Sequence, residues 1–176
     1  MVFYALYVTA ELENLTDLQP LGGCSDPEYA YYFKVKCENC GETSKKEACV
    51  TLSDSFQLPT GRGTANLVQK CKLCGRDGTI QMLPGHGEPL TLQQSHSGSE
   101  SMLMVFDCRG FEPIDFSFGN GWKAESTSGT RFEMDLSEGE FAEYDEKGEC
   151  PVGISNLRAS FKVVKKHERA GKTIFV

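Results

Sequence analysis

Two pairs of cysteines carry the most specific chemistry in the sequence: Cys37-Glu-Asn-Cys40-Gly41 and Cys71-Lys-Leu-Cys74-Gly75, with 30 residues between Cys40 and Cys71. Two sulfurs three residues apart can converge on one cation if the backbone folds back between them. A glycine after the second cysteine accepts the positive φ that this reversal demands. Two such turns supply four thiolates in a tetrahedron, the closed coordination of structural zinc, and their spacing is that of a zinc site. A pair of disulfides or a thioredoxin-type redox pair are the alternatives, although redox chemistry needs only one C-x-x-C.

Other residue types offer less. Cys108, followed by Arg109, is the best candidate for a reactive thiol, because a neighbouring guanidinium stabilises a thiolate. Yet Cys108 shares strand parity with Met102, Met104 and Phe106, which reads as core packing. Cys24, Cys49 and Cys150 have no partner spacing. His86 and His96 fall in a polar join and His167 in a basic tail, so none stands beside a cysteine nucleophile. Gly61-Arg62-Gly63 lacks the Lys-Ser/Thr and helix of a P-loop; it reads as a tight turn that brings Arg62 near the sulfurs. Glu138, Glu140, Glu143, Asp145, Glu146 and Glu149 read as a solvated acidic surface, and Trp122 as a buried aromatic.

The elements that must position these groups alternate with period two, the signature of strands. Val2–Leu12, Tyr29–Cys37, Glu47–Leu52, Ala65–Cys71, Thr79–Leu83 and Ser101–Arg109 read as strands, as do segments near Ile114–Phe118, Phe132–Leu136, Ala159–Val163 and Thr173–Val176. The Leu58–Gly63 stretch is loop. No convincing helix is expected; Ser137–Tyr144 supports a turn or two at most. Strand ends at Cys37 and Cys71 deliver the knuckles, so two hairpins meet on one ion as in a zinc ribbon. Short strands separated by turn residues predict an all-β sandwich or barrel-like fold. Leu12–Pro20 and Cys108–Phe116 echo one another, each an acidic, proline-bearing segment after an apolar strand.

The chain has 176 residues and a formal charge of −7. Residues 97–150 hold 4 Lys/Arg against 13 Asp/Glu, whereas residues 151–176 hold 6 against 1. That acidic body disfavours general binding to a phosphate backbone. The basic end reads as a solvated edge strand and tail. No apolar run reaches the 18 or so residues of a membrane span, and Met1–Ala10 lacks the basic flank of a signal peptide. Unpaired thiols point to a reducing compartment, cytoplasm or nucleus.

Several longer motifs join the cysteines: Leu12-Glu13-Asn14-Leu15-Thr16, Gly61 through Val68-Gln69-Lys70-Cys71, Phe106-Asp107-Cys108-Arg109-Gly110-Phe111-Glu112-Pro113, Ser128-Gly129-Thr130 and Tyr144-Asp145-Glu146-Lys147. Together, over roughly residues 6–164, the sequence resembles the eukaryotic CXXC-motif-containing zinc-binding proteins. The resemblance implies an all-β protein of two pseudo-symmetric halves, one zinc on Cys37, Cys40, Cys71 and Cys74, and no agreed catalytic activity. The Gly23–Pro27 segment with Cys24 and the tail after Val164 look like additions to the family pattern.

The expectation is an N-terminal β half at residues 1–84 carrying the four-cysteine site, a polar join at 85–100 and a C-terminal β half at 101–176, or these as one compact domain. Functionally the chain reads as a monomeric, non-enzymatic module for protein interaction or metal handling. It would offer the acidic face of residues 135–149 to a partner. A thiol-redox enzyme using Cys108 with Arg109, or a nucleic-acid-binding ribbon using Arg62, Lys70, Lys72 and Arg76, are the alternatives.

Overall fold

A computed structural model describes all 176 residues. Its central strands are β1 (Val2–Glu13) and β9 (Ser101–Arg109), which pair antiparallel from Val2↔Cys108 to Val8↔Ser101. Their apolar parity dictates what they cover: Tyr4, Leu6, Val8, Ala10 and Leu12 of β1, with Met104, Phe106 and Cys108 of β9, enter the main core.

The remaining strands, in chain order, are β2 (Leu15–Pro20), β3 (Tyr31–Cys37), β4 (Ala48–Val50), β5 (Phe56–Gln57), β6 (Thr64–Ala65), β7 (Leu67–Lys70) and β8 (Asp77–Leu83), then β10 (Phe111–Ser117), β11 (Gly121–Ser126), β12 (Arg131–Asp135), β13 (Phe141–Asp145), β14 (Cys150–Val164), β15 (Lys166–Arg169) and β16 (Lys172–Phe175). The main sheet runs β13-β14-β1-β9-β8-β7. Read from either edge it is a hairpin followed by a first strand, so a pseudo-twofold axis passes between β1 and β9. The smaller sheets, β10-β3-β4 and β12-β11-β2, obey the same axis. Each half lends its second strand to the other half's hairpin, and β1 itself lies between two strands of the C-terminal half. The halves are interleaved.

Aromatic rings fill the space between sheets. Phe33, Phe106 and Phe161 meet edge to face at 5.3–5.9 Å, in the offset geometry that ring quadrupoles favour. Trp122 is fully buried, as its parity suggests, and its Nε1–H donates to the Phe118 carbonyl at 3.3 Å.

Two segments depart from the sequence reading. The join contains a helix, α1 (Leu92–Ser97), capped by Thr91 and Gln94 acting reciprocally. Such a capping box satisfies two amide donors that a short helix otherwise leaves unpaired. The Ser95 hydroxyl accepts from Leu12 N–H and donates to the Ala10 carbonyl, while Leu90 is fully buried. The expected strand at Thr173–Val176 is β16, and it pairs with β15 as a hairpin that is docked rather than solvated: Phe175 packs with Ala5, Val105 and Val164 on the opposite face of the main sheet. Ser137–Tyr144 forms a turn leading into β13, not a helix.

Candidate metal centre

The Cys37 knuckle closes with three backbone hydrogen bonds: Cys37 N–H to the Glu42 carbonyl at 2.8 Å, Gly41 N–H to the Cys37 carbonyl at 2.9 Å, and Glu38 N–H to the Gly110 carbonyl at 3.0 Å. The Cys71 knuckle repeats the first two, with Cys71 N–H to Arg76 at 2.8 Å and Gly75 N–H to Cys71 at 2.9 Å. Gly41 and Gly75 sit at φ +79° and +76°. Those glycines let the chain reverse so that the amides of each turn face inward, toward sulfur.

All four sulfurs lie within 4.8 Å of one another. Cys37 Sγ is 3.7 Å from Cys74 Sγ, and Cys40 Sγ is 3.6 Å from Cys71 Sγ. A tetrahedron with metal–sulfur bonds of about 2.3 Å has edges of about 3.8 Å, so the donor set has the size and chemistry of a zinc site. These contacts are non-bonded separations, far beyond a disulfide of about 2.0 Å. Cys37 and Cys71 are buried and Cys40 and Cys74 exposed; each knuckle contributes one of each.

Amides prepare the sulfurs for positive charge. N–H groups of Cys74 and Leu73 lower the Cys71 thiol, and those of Arg76, with the Asn39 side chain, bring Cys74 down to about 6. The Glu42 N–H favours the Cys40 thiolate too, but partial desolvation and the three neighbouring sulfurs outweigh it and push Cys40 up to about 12. Crowded thiolates repel. Full ionisation of the four therefore calls for a cation among them.

None of the other candidate residues hydrogen-bonds to the sulfurs. Arg62 is exposed in the 58–63 loop and makes no hydrogen bond or ion pair; the groups that support the sulfurs are backbone amides and the Asn39 side chain. Cys108 is 0% exposed, paired between Val2 and Ile80, and burial with Asp107 and Glu38 nearby pushes its thiol far up. Arg109 points outward to Asp107 at 3.7 Å. Of the acidic run, Glu138, Glu140, Glu143, Glu146 and Glu149 are exposed, but Asp145 is buried.

Asp145 marks a second centre, which the sequence reading missed. The pseudo-twofold axis carries the Cys37 turn onto Ser126–Thr130: Ser126 N–H donates to the Thr130 carbonyl at 2.7 Å, Gly129 N–H to Ser126 at 2.9 Å, and Thr127 N–H to the Asn14 carbonyl at 3.1 Å. Asn14 and Gly110, the two acceptor positions, both have positive φ. The Cys71 turn maps onto Asp145–Cys150, with Gly75 answered by Glu149 at φ +51°. Thus Ser126 and Ser128 stand for Cys37 and Cys40, and Asp145 stands for Cys71. Ser128 and Thr130 hydroxyls donate to the Asp145 carboxylate, the latter at 2.8 Å, and Ser126 joins through Ser128 at 2.9 Å. The Ser128 hydroxyl foremost, with Ser126, Thr130 and the Gly148 amide, outweighs desolvation and holds Asp145 well below the usual carboxylate range. The usable signal is Ser128-Gly129, a Ser-Gly in the place of Cys40-Gly41.

Comparison with known proteins places this architecture. Residues 5–162 match the eukaryotic family described as "CXXC motif containing zinc binding protein". The protein of that name from Xenopus laevis is 42% identical over 163 residues, covering 92% of this chain and 98% of the relative, and the Homo sapiens protein is 40% identical over 159 residues, covering 89% and 96%. Among solved structures, "Crystal Structure of C1orf123" superposes with a TM-score of 0.81 at 39% identity, covering 92% of this chain and 99% of that one. A "Hypothetical protein from plasmodium falciparum" reaches 0.77 at 27% identity, covering 92% and 100%. From Ala5 to Lys162 the chain therefore belongs to the eukaryotic family of CXXC motif containing zinc binding proteins.

Proposed function

We propose that Cys37, Cys40, Cys71 and Cys74 hold one structural zinc ion in a ribbon-like site, and that the protein is a non-enzymatic module for protein interaction or metal handling in a reducing compartment. The observation that carries this is the closed set of four sulfurs. Four thiolates saturate a tetrahedral ion and leave no position for substrate or activated water. The metal would tie the β7–β8 hairpin to the end of β3, which the chain joins only through the short strands β4, β5 and β6.

An acidic groove offers a docking face. Glu138 and Glu140 face Glu11 and Glu13 across a cavity that Leu92, Phe141 and Ile154 line. A basic segment of a partner suits that charge. No helix is long and apolar enough to cross a membrane. Nothing in the geometry favours the thiol-redox alternative, because Cys108 has neither solvent access nor a cation at its sulfur.

Elemental analysis of purified protein tests the metal reading directly. One zinc per chain is expected, falling to none in Cys71→Ser. Absence of stoichiometric metal in the wild type overturns it. Native-state alkylation tests the redox alternative: Cys108 stays unlabelled by iodoacetamide at pH 8, and rapid labelling of Cys108 would restore that reading.

A further inference from the structure

A groove of about 480 Å³ opens beside Cys71, lined by more cations than anions although the chain's net charge is negative. Val35 and Phe111 close its floor, and Leu73, 68% exposed, stands at its rim. Lys45, Lys46, Lys70 and Lys72 line it, all exposed, and none of them forms an ion pair. Four unpaired cations converge on one concavity in a chain whose net charge is −7.

Screening of an anionic zinc–thiolate centre explains why cations gather here. It does not explain the concave shape or the leucine held out beside them. A single exposed leucine is ordinary on a protein surface, but here it adds an apolar contact beside a concavity lined by four unpaired lysines. We infer that this groove docks an acidic segment of a partner protein, with an apolar side chain of that segment against Leu73 and carboxylates on either side reaching the four lysines. Complementary charge would steer the encounter and set the register, while burial of Leu73 would slow release.

Nucleic acid fits less well. The groove presents no exposed aromatic ring for base stacking, since Phe111 is only 3% exposed. Glu42 and Glu47 also lie along it. The overall negative charge penalises a ligand with one charge per nucleotide more than a segment with two or three carboxylates.

This inference rests on the reading of the chain as a zinc-stabilised interaction module, and the test separates the two. A fluorescein-labelled peptide of alternating Glu and Leu is titrated with the zinc-loaded full-length protein, followed by anisotropy, with zinc content measured for every variant. Saturable one-to-one binding is expected. Lys70→Glu/Lys72→Glu should weaken it at least tenfold and Leu73→Ser at least threefold, with one zinc retained in each. Lys162→Glu, on a distant lysine, should leave it unchanged. Lys70→Gln/Lys72→Gln substitutes if the charge reversal fails to fold. Equal affinity across wild type and groove variants, or no saturation, overturns the docking site. So does a twelve-nucleotide RNA that outcompetes the peptide and loses binding in the same variants. Wild-type protein that lacks zinc refutes the metal reading, whichever way the peptide behaves.

Discussion

At one end of the molecule the turns after β3 and β7 meet on four sulfurs; at the other, the turns after β11 and β13 meet on one carboxylate and three hydroxyls. The backbone is alike at both, down to the amide that reaches back to Gly110 or to Asn14. What differs is the support around each closure. The cysteine end rests on short ladders, three residue pairs between β3 and β4 and four between β7 and β8, whereas β11–β12 and β13–β14 have five each.

Chain length explains little of this. Thirty residues separate Cys40 from Cys71 and 16 separate Ser128 from Asp145, and doubling a loop costs only about 0.6 kcal/mol in closure entropy. The hairpin ladders differ instead. Where the strands are long, a hydrogen-bonded carboxylate suffices. Where they are short, a zinc–thiolate closure worth on the order of 10 kcal/mol can substitute for missing pairing.

The contrast can be broken first at its metal end. Cys71→Ser should abolish zinc binding and lower the Tm by more than about 15 °C, because the lost binding energy rivals the whole stability of a domain and each kcal/mol is worth about 2–4 °C at this size. Calorimetry with and without a chelator checks it: the chelator should destabilise wild type and leave the variant unmoved. Asp145→Asn should cost less, about 5–10 °C, for disordered hydroxyl partners. Its pH dependence sharpens the comparison. The folded state holds the Asp145 carboxyl below its ordinary value, so its stabilising effect is complete above the unfolded pKa of about 3.9 and is lost as pH falls toward the folded one. The Tm gap between wild type and Asp145→Asn, full at pH 6, should narrow below pH of about 4. Gly148→Ala is a smaller perturbation of the same centre. Its added Cβ would lie 2.7 Å from Asp145 Oδ2, and a Tm loss of about 2–5 °C is expected. Arg62→Ala should shift Tm by about 1 °C or less with zinc retained.

Strand parity and the ligand set could be read from the sequence because both are local patterns. Alternation placed Tyr31, Phe33 and Val35 in the core, and C-x-x-C-Gly named the sulfurs. The helix at Leu92–Ser97 was signalled only by Thr91 and Gln94, since six residues are too few to show a helical period. Asp145 was hidden among exposed acidic neighbours; its burial depends on Ser126, Ser128 and Thr130, which lie some 15 to 19 positions earlier and meet it only across the fold. The interleaving of halves is likewise a long-range pairing that no local window records. The strand at Thr173–Val176 was legible, but the burial of Phe175 was not, because its pocket is built by Ala5, Val105 and Val164 from three distant strands.

The place of β1 between β9 and β14 bears on synthesis. β1 is flanked on both sides by strands that lie far later in the sequence, β9 (Ser101–Arg109) and β14 (Cys150–Val164). A nascent chain holds β1 and both cysteine pairs without the sheet that organises them until β14 (Cys150–Val164) has been made. Ordering of the main sheet is thereby tied to synthesis of β14, and ribosome-bound fragments ending before residue 150 should remain protease-sensitive throughout their β1 segment.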